Sequence, residues 1–161
     1  MKHIGFALAL LGAWIFSPCV LASPHEAHSH AHASTPAPIP AQRWATDAAL
    51  REGMHRVHGA LNELHRYELG QLPESQALAS VAEINAAADY MFTNCKLEST
   101  PDTALHGMLA PLLAAAAQFK NDPKDMSAVA AMRQAVADYP RYFNDPGWTP
   151  LEASADSAHD H

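Results

Sequence analysis

Between Arg43 and Trp148 the apolar residues of every long segment recur three and four positions apart, and no alternating run is long enough to suggest a strand. Residues so spaced share one face of a helix, so each segment has one stripe to bury. The spacing predicts a first helix from a Thr46 cap, with Asp47 in its first turn, to Gly70, with the stripe Leu50, Met54, Val57, Leu61 and Leu64. A second opens around Pro73 to Ser75 and runs through Leu78, Val81, Ile84, Ala88, Phe92 and Cys95. Thr100-Pro101-Asp102 announces a third, with Leu105, Leu109, Leu112, Ala116 and Phe119 inside and Pro111 expected to kink it. Asn121-Asp122-Pro123 caps a fourth, with Met126, Val129, Met132, Val136 and Tyr139, which Pro140 distorts or ends. Four amphipathic helices joined by short loops have one economical arrangement, an all-α, antiparallel up-down-up-down four-helix bundle. Small residues in LLAAAAQF keep its interfaces close.

The two ends of the chain have a different character. Residues 1–22 carry Lys2, an apolar run from Ile4 to Val20 and small residues for cleavage near Ala22, the pattern of a secretory signal. Export to the periplasm or beyond follows, with no membrane span in the mature form. Residues 23–42, SPHEAHSHAHASTPAPIPAQ, are rich in Ala, Pro, Ser and His and have hardly any of the large apolar residues a core needs, so a flexible arm is expected. The tail 149–161 closes on EASADSAHDH and reads as disordered. Residues 43–148 are the folded unit, one small domain.

A formal net charge of -7 leaves no basic patch to displace counterions, which argues against nucleic acid or an anionic membrane as partner. Catalysis is not expected either, because no nucleophile elbow, phosphate loop, HExxH or dinucleotide fingerprint is present. Glu83 and Asp89 fit a solvated helix face.

Of two cysteines, Cys19 belongs to the signal, so the mature chain keeps Cys95 alone and no intrachain disulfide forms. A lone thiol in an oxidising compartment pairs with another chain, binds a metal or is buried. In an antiparallel bundle Met54 lies level with Met91, and Met91 with His106, by the common rise per residue. Met54 and His58 are i, i+4 on helix one, and Met91 and Cys95 are i, i+4 on helix two. Met54, His58, Met91, Cys95 and His106 therefore gather toward one end of the bundle. Thiolate, thioether and imidazole select copper(I), whereas a zinc site more often shows a second cysteine. Methionines at core spacing also fit plain packing, and His55 and His65 fit a surface or boundary position. His28, His30 and His32 alternate with small residues in the arm, so that a flexible chain can wrap several imidazoles around Cu(II), Ni(II) or Zn(II). His159 and His161 repeat the chemistry at the other terminus.

The methionine in LREGMHRVHGAL and the ending VADYPRYF resemble the soluble periplasmic b-type cytochromes, four-helix bundles that hold haem between a methionine on helix one and a histidine near the end of helix four. Met54 matches the first ligand and Pro140 stands where the histidine belongs, so the resemblance implies His58 or His106 as the second. NCKL, the following Leu105-His106 and DYPRYFNDPGW also look like a group of short, His-rich exported bacterial proteins of the DnrO-like kind. The expected function is that of an exported metal carrier or buffer, copper first, with a periplasmic protein as a further partner. Haem carriage is the alternative, and a metal-free interaction module the third possibility.

Overall fold

Asp47, and not Thr46, opens the first helix. The computed structural model describes residues 38–151, and in it α1 (Ala48–Glu68) starts behind Asp47, whose Oδ1 accepts the Leu50 N–H at 2.7 Å. A carboxylate is the stronger partner for the helix's free N–H groups, which releases Thr46 to donate its hydroxyl to the Asn144 carbonyl at 3.0 Å. The helix stops at Leu69 and Gly70, where the punctuation is expected.

Pro73 occupies the N-cap of α2 (Glu74–Asn94), a position that asks nothing of the missing N–H. Cys95 was expected in the apolar stripe of this helix but is its C-cap, donating its N–H to Met91 O at 2.9 Å. Val81, Ile84 and Ala88 are buried as the expected stripe requires, but its two ends are not. Ala77, Val81, Ile84, Ala87, Ala88 and Met91 face inward, while Leu78 is half-buried and Phe92 is 46% exposed. So many alanines leave the edges of the stripe ambiguous, since they mark no apolar boundary.

Helix α3 (Ser99–Asn121) begins after Glu98, two residues ahead of the expected Thr100 cap, and keeps Pro101 buried in its first turn. It runs past Pro111 to Asn121 as one element. Asp125, three residues beyond the expected cap, opens α4 (Met126–Val136) by accepting the Ser127 N–H at 3.0 Å. That helix has only 11 residues. Pro140 has no N–H to return to the Val136 carbonyl, so the chain breaks after Val136 and resumes as the single turn α5 (Tyr139–Tyr142).

The molecule is mostly helical and bundle-like. Helix α1 packs most extensively on α2 and α3 on α4, and α2–α3 and α1–α4 contacts close the set. Leu50, Met54, Leu61, Leu64, Ile84, Met91, Leu109, Leu112, Phe119 and Tyr139 form the core. Two strands that the sequence pattern did not announce tie its ends: β1 (Trp44–Ala45) pairs in parallel with β2 (Phe143–Asn144), Trp44 opposite Phe143. Two residues are too few to show a period. Trp44 also packs on the rings of Tyr142 and Phe143, each with centroids 5.7 Å away. Among the described residues no helix is long and apolar enough to cross a membrane.

Candidate functional site

The residues singled out from the sequence fall into three environments. Met54 and Met91 lie in the core, 0% and 1% exposed. Gly53 makes room for Met91, because a Cβ there would drive into the Met91 side chain, 2.7 Å from its Sδ. Cys95 is half-buried at the end of α2, beside Asp47, whose second carboxylate oxygen accepts the Lys96 N–H at 2.7 Å. Burial first, and then the negative charges of Asp47 and Asp102, push the Cys95 thiol up to about 11. At neutral pH it is therefore a thiol and not the thiolate that binds soft metals.

Alkylation of Cys95 checks this directly. At pH 8 iodoacetamide is expected to react roughly 100-fold more slowly than with an ordinary cysteine, since two pKa units remove that factor of thiolate. The rate should keep rising to about pH 11. A rate equal to that of the urea-unfolded chain would mean that neither burial nor Asp47 governs the thiol.

The two histidines of the expected bundle site are engaged elsewhere. His58 Nε2 lies 3.1 Å from the Thr149 carbonyl and 3.2 Å from its hydroxyl, and Nδ1 lies 3.3 Å from the Asn62 amide nitrogen. Its ring meets Trp148 edge-on, with centroids 5.1 Å apart. His106 Nδ1 donates to the Asp102 carbonyl at 2.9 Å, and the exposed ring stacks on Phe92. Met54 has no exposed surface, while His58 through both ring nitrogens and His106 through Nδ1 have these partners. Among the described residues no group of three or more His, Cys, Asp and Glu could hold a metal ion. His28, His30 and His32, with His159 and His161, lie outside the described residues.

The polar cluster that the structure does assemble was not anticipated. Asp145, whose side chain has no exposed surface, receives the Tyr139 hydroxyl at 3.1 Å on Oδ2 and the Gly147 N–H at 3.0 Å on Oδ1. His55 Nε2 sits 3.2 Å from the same Oδ2. Burial, then the Asp145 charge, raises the Tyr139 pKa well above its ordinary value, so the phenol remains a hydrogen donor. The segment Asp-Pro-Gly-Trp makes this possible locally. Asp145 accepts from its own backbone two residues on, and the Trp148 N–H returns to the Asp145 carbonyl at 3.2 Å. Gly147 is required by close approach: a Cβ there would stand 2.7 Å from His55 Cε1. Tyr139 in turn lies between Phe143 and Trp148, at 5.2 and 4.7 Å between centroids. A local signal for this cluster was available in the aromatic density and turn chemistry of YPRYFNDPGW.

A second buried cluster ties α1 to α4. Arg133 places one guanidinium nitrogen 2.7 Å from both Glu68 carboxylate oxygens, and His65 Nδ1 lies 3.2 Å from Oε2. His65, expected at a boundary, is buried because the neighbouring Glu68 needs a polar companion inside. Glu83, expected on a solvated face, pairs with Arg56 of α1 at 2.6 Å.

No protein-family model, curated protein or solved structure matches the chain.

Proposed function

We propose that the mature chain is an exported antiparallel helical bundle that holds a transition metal, copper first, as a carrier or buffer in the periplasm or outside the cell. The metal is bound mainly by imidazoles carried on its two tails, and the bundle serves as their anchor.

The observation that carries this reading is the parallel pairing of Trp44–Ala45 with Phe143–Asn144, which fastens the roots of both His-bearing ends side by side. His32 precedes Trp44 by about a dozen residues, roughly 40 Å of extended chain, and His159 follows Asn144 by a similar length, about 50 Å. Imidazoles from both ends can therefore meet on one ion. Copper(II) heads the divalent series for such nitrogen ligands. Tethering a second set of ligands at short range raises their effective concentration, which strengthens the combined site beyond either tail alone. Met54, Met91 and Cys95 contribute less, since the thiol is protonated and both thioethers are packed.

Equilibrium dialysis against Cu(II), with a competing chelator, tests the proposal. The mature protein is expected to retain about one equivalent, and replacing His28, His30, His32, His159 and His161 by alanine should weaken retention at least about tenfold, the scale on which linking two ligand sets acts. Equal retention by both proteins would remove the tails from the site. No retained copper in the unsubstituted protein would leave a metal-free interaction module.

A further inference from the structure

We propose that the outward stripe of α3 is a dimer interface, on which a second copy of this chain packs its own α3 in the antiparallel sense about a twofold axis at the level of Pro111. The interface involves neither tail and stands apart from the metal reading.

Helix α3 carries formal charges at two positions only, Asp102 in its first turn and Lys120 in its last. Five turns of about 3.6 residues separate them, so the two stand on one line along the helix. Between them that line passes His106, Ala110, Leu113 and Ala117, of which Leu113 is half-buried and the others are exposed. A solvated helix face normally mixes charges, as α1 does with Glu52, Arg56, Glu63 and Arg66. Depletion of charge over the middle of a face, with charge kept for its edges, is instead the composition of a protein interface. The short side chains at Ala110 and Ala117 let a second helix approach closely. Beside this stripe Phe92, near the end of α2, is 46% exposed and stacks on His106 with centroids 5.1 Å apart. A large apolar ring thus stands next to a shallow surface, the pairing of anchor and receptacle on which interfaces depend.

Charge order identifies the occupant. Pro111 is the midpoint between Asp102 and Lys120, so a twofold axis at its level sets Asp102 of each copy opposite Lys120 of the other and closes two ion pairs at the rim. The same axis brings Phe92 and His106 level with Ala117 of the second copy. A parallel pair would instead set Asp102 against Asp102 and Lys120 against Lys120, which like-charge repulsion opposes. The available area is also adequate. Helix α3 is about 35 Å long and, with the adjoining edge of α2 at an interhelical spacing of about 10 Å, offers roughly 700 Å² per copy. Two such faces fall within the range of specific interfaces, toward its lower end, so the dimer is reversible.

Sedimentation velocity of the full mature chain across the micromolar range tests the interface, with a reductant to keep Cys95 from joining copies and a chelator to remove metal. The unsubstituted chain is expected to pass from monomer to dimer as its concentration rises. Ala110→Glu sets a carboxylate against its own symmetry mate near the axis and should raise the dissociation constant at least about 10-fold. Lys120→Glu should do the same, because it makes both rim pairs repulsive at once. Asp102→Lys combined with Lys120→Glu exchanges the two charges and should restore the original association. Circular dichroism confirms that each variant is folded, and Ala117→Glu provides a second test should Ala110→Glu fail to fold. A chain that stays monomeric at every concentration overturns the proposal and leaves this face to another partner. A dimer that Ala110→Glu and Ala117→Glu do not weaken lies on a different surface and overturns it as well. A charge exchange that fails to rescue Lys120→Glu overturns the antiparallel pairing.

Discussion

Glu68→Ala is expected to destabilise the protein by about 3–5 kcal/mol, the scale for breaking a buried ion pair by removing one member. Glu68 and Arg133 are each 9% exposed at the side chain, with two 2.7 Å contacts between them and His65 beside the same carboxylate. Removing the carboxylate takes a charge partner from Arg133 in a region from which water is largely excluded. A domain of this size has roughly 5–15 kcal/mol of stability in total, so the variant should lose a large part of it. Urea denaturation gives the number, with a midpoint shift of about 2 M at a typical slope of ~2 kcal/mol per M. The double variant Glu68→Leu, Arg133→Leu should recover most of the loss, because replacing both charges by apolar groups removes the desolvation cost along with the attraction. A Glu68→Ala shift too small to measure would show that the pair is effectively hydrated.

Tyr139 offers a second large effect that divides into two parts. Tyr139→Ala should cost about 3–5 kcal/mol, since the ring is fully buried between Phe143 and Trp148 and its loss leaves a cavity. Tyr139→Phe keeps the ring and removes only the hydroxyl that donates to Asp145, for an expected cost of ~1–3 kcal/mol. Thermal unfolding of the two variants side by side separates packing from hydrogen bonding. Equal losses would mean that Asp145 matters more to this ring than its aromatic neighbours do.

The helices were legible from spacing because their stabilising contacts repeat every turn, within reach of a short window. Leu50, Val57, Leu61 and Leu64 are all buried as the stripe requires. Boundaries were less legible where two cap-forming residues adjoin, as at Thr46 and Asp47, since the choice between them depended on Asn144 far along the chain. In α2 the alanines on every side hid the true face, which is why Met91 is inward and Phe92 outward. Neither polar cluster had any periodic signature. The Glu68–Arg133 contact joins residues 65 positions apart, and the His55–Asp145 contact depends on a two-residue strand pair with no pattern of its own. For the candidate site, the burial of Met54 and Met91 was accessible to apolar spacing along the helices. The partners of His58 were not, because Trp148 and Thr149 lie in an irregular segment whose path only tertiary packing decides.

The pairing of β1 with β2 has a consequence for the order in which the chain acquires its parts. Helices α1 and α2 are neighbours in sequence and can dock as soon as both have been synthesised, whereas the Thr46–Asn144 contact beside the strands closes a separation of 98 residues. Closing so long a loop carries an entropic cost that local helix pairing avoids, so the ladder is a late event in folding. During synthesis from the N-terminus, residues up to Tyr142 can be helical before Asp145, which lies beside His55 and accepts from Tyr139, has joined the fold. An incomplete chain would thus have most of the bundle without its buried Asp145 cluster, and arrival of the last strand is the step that completes it.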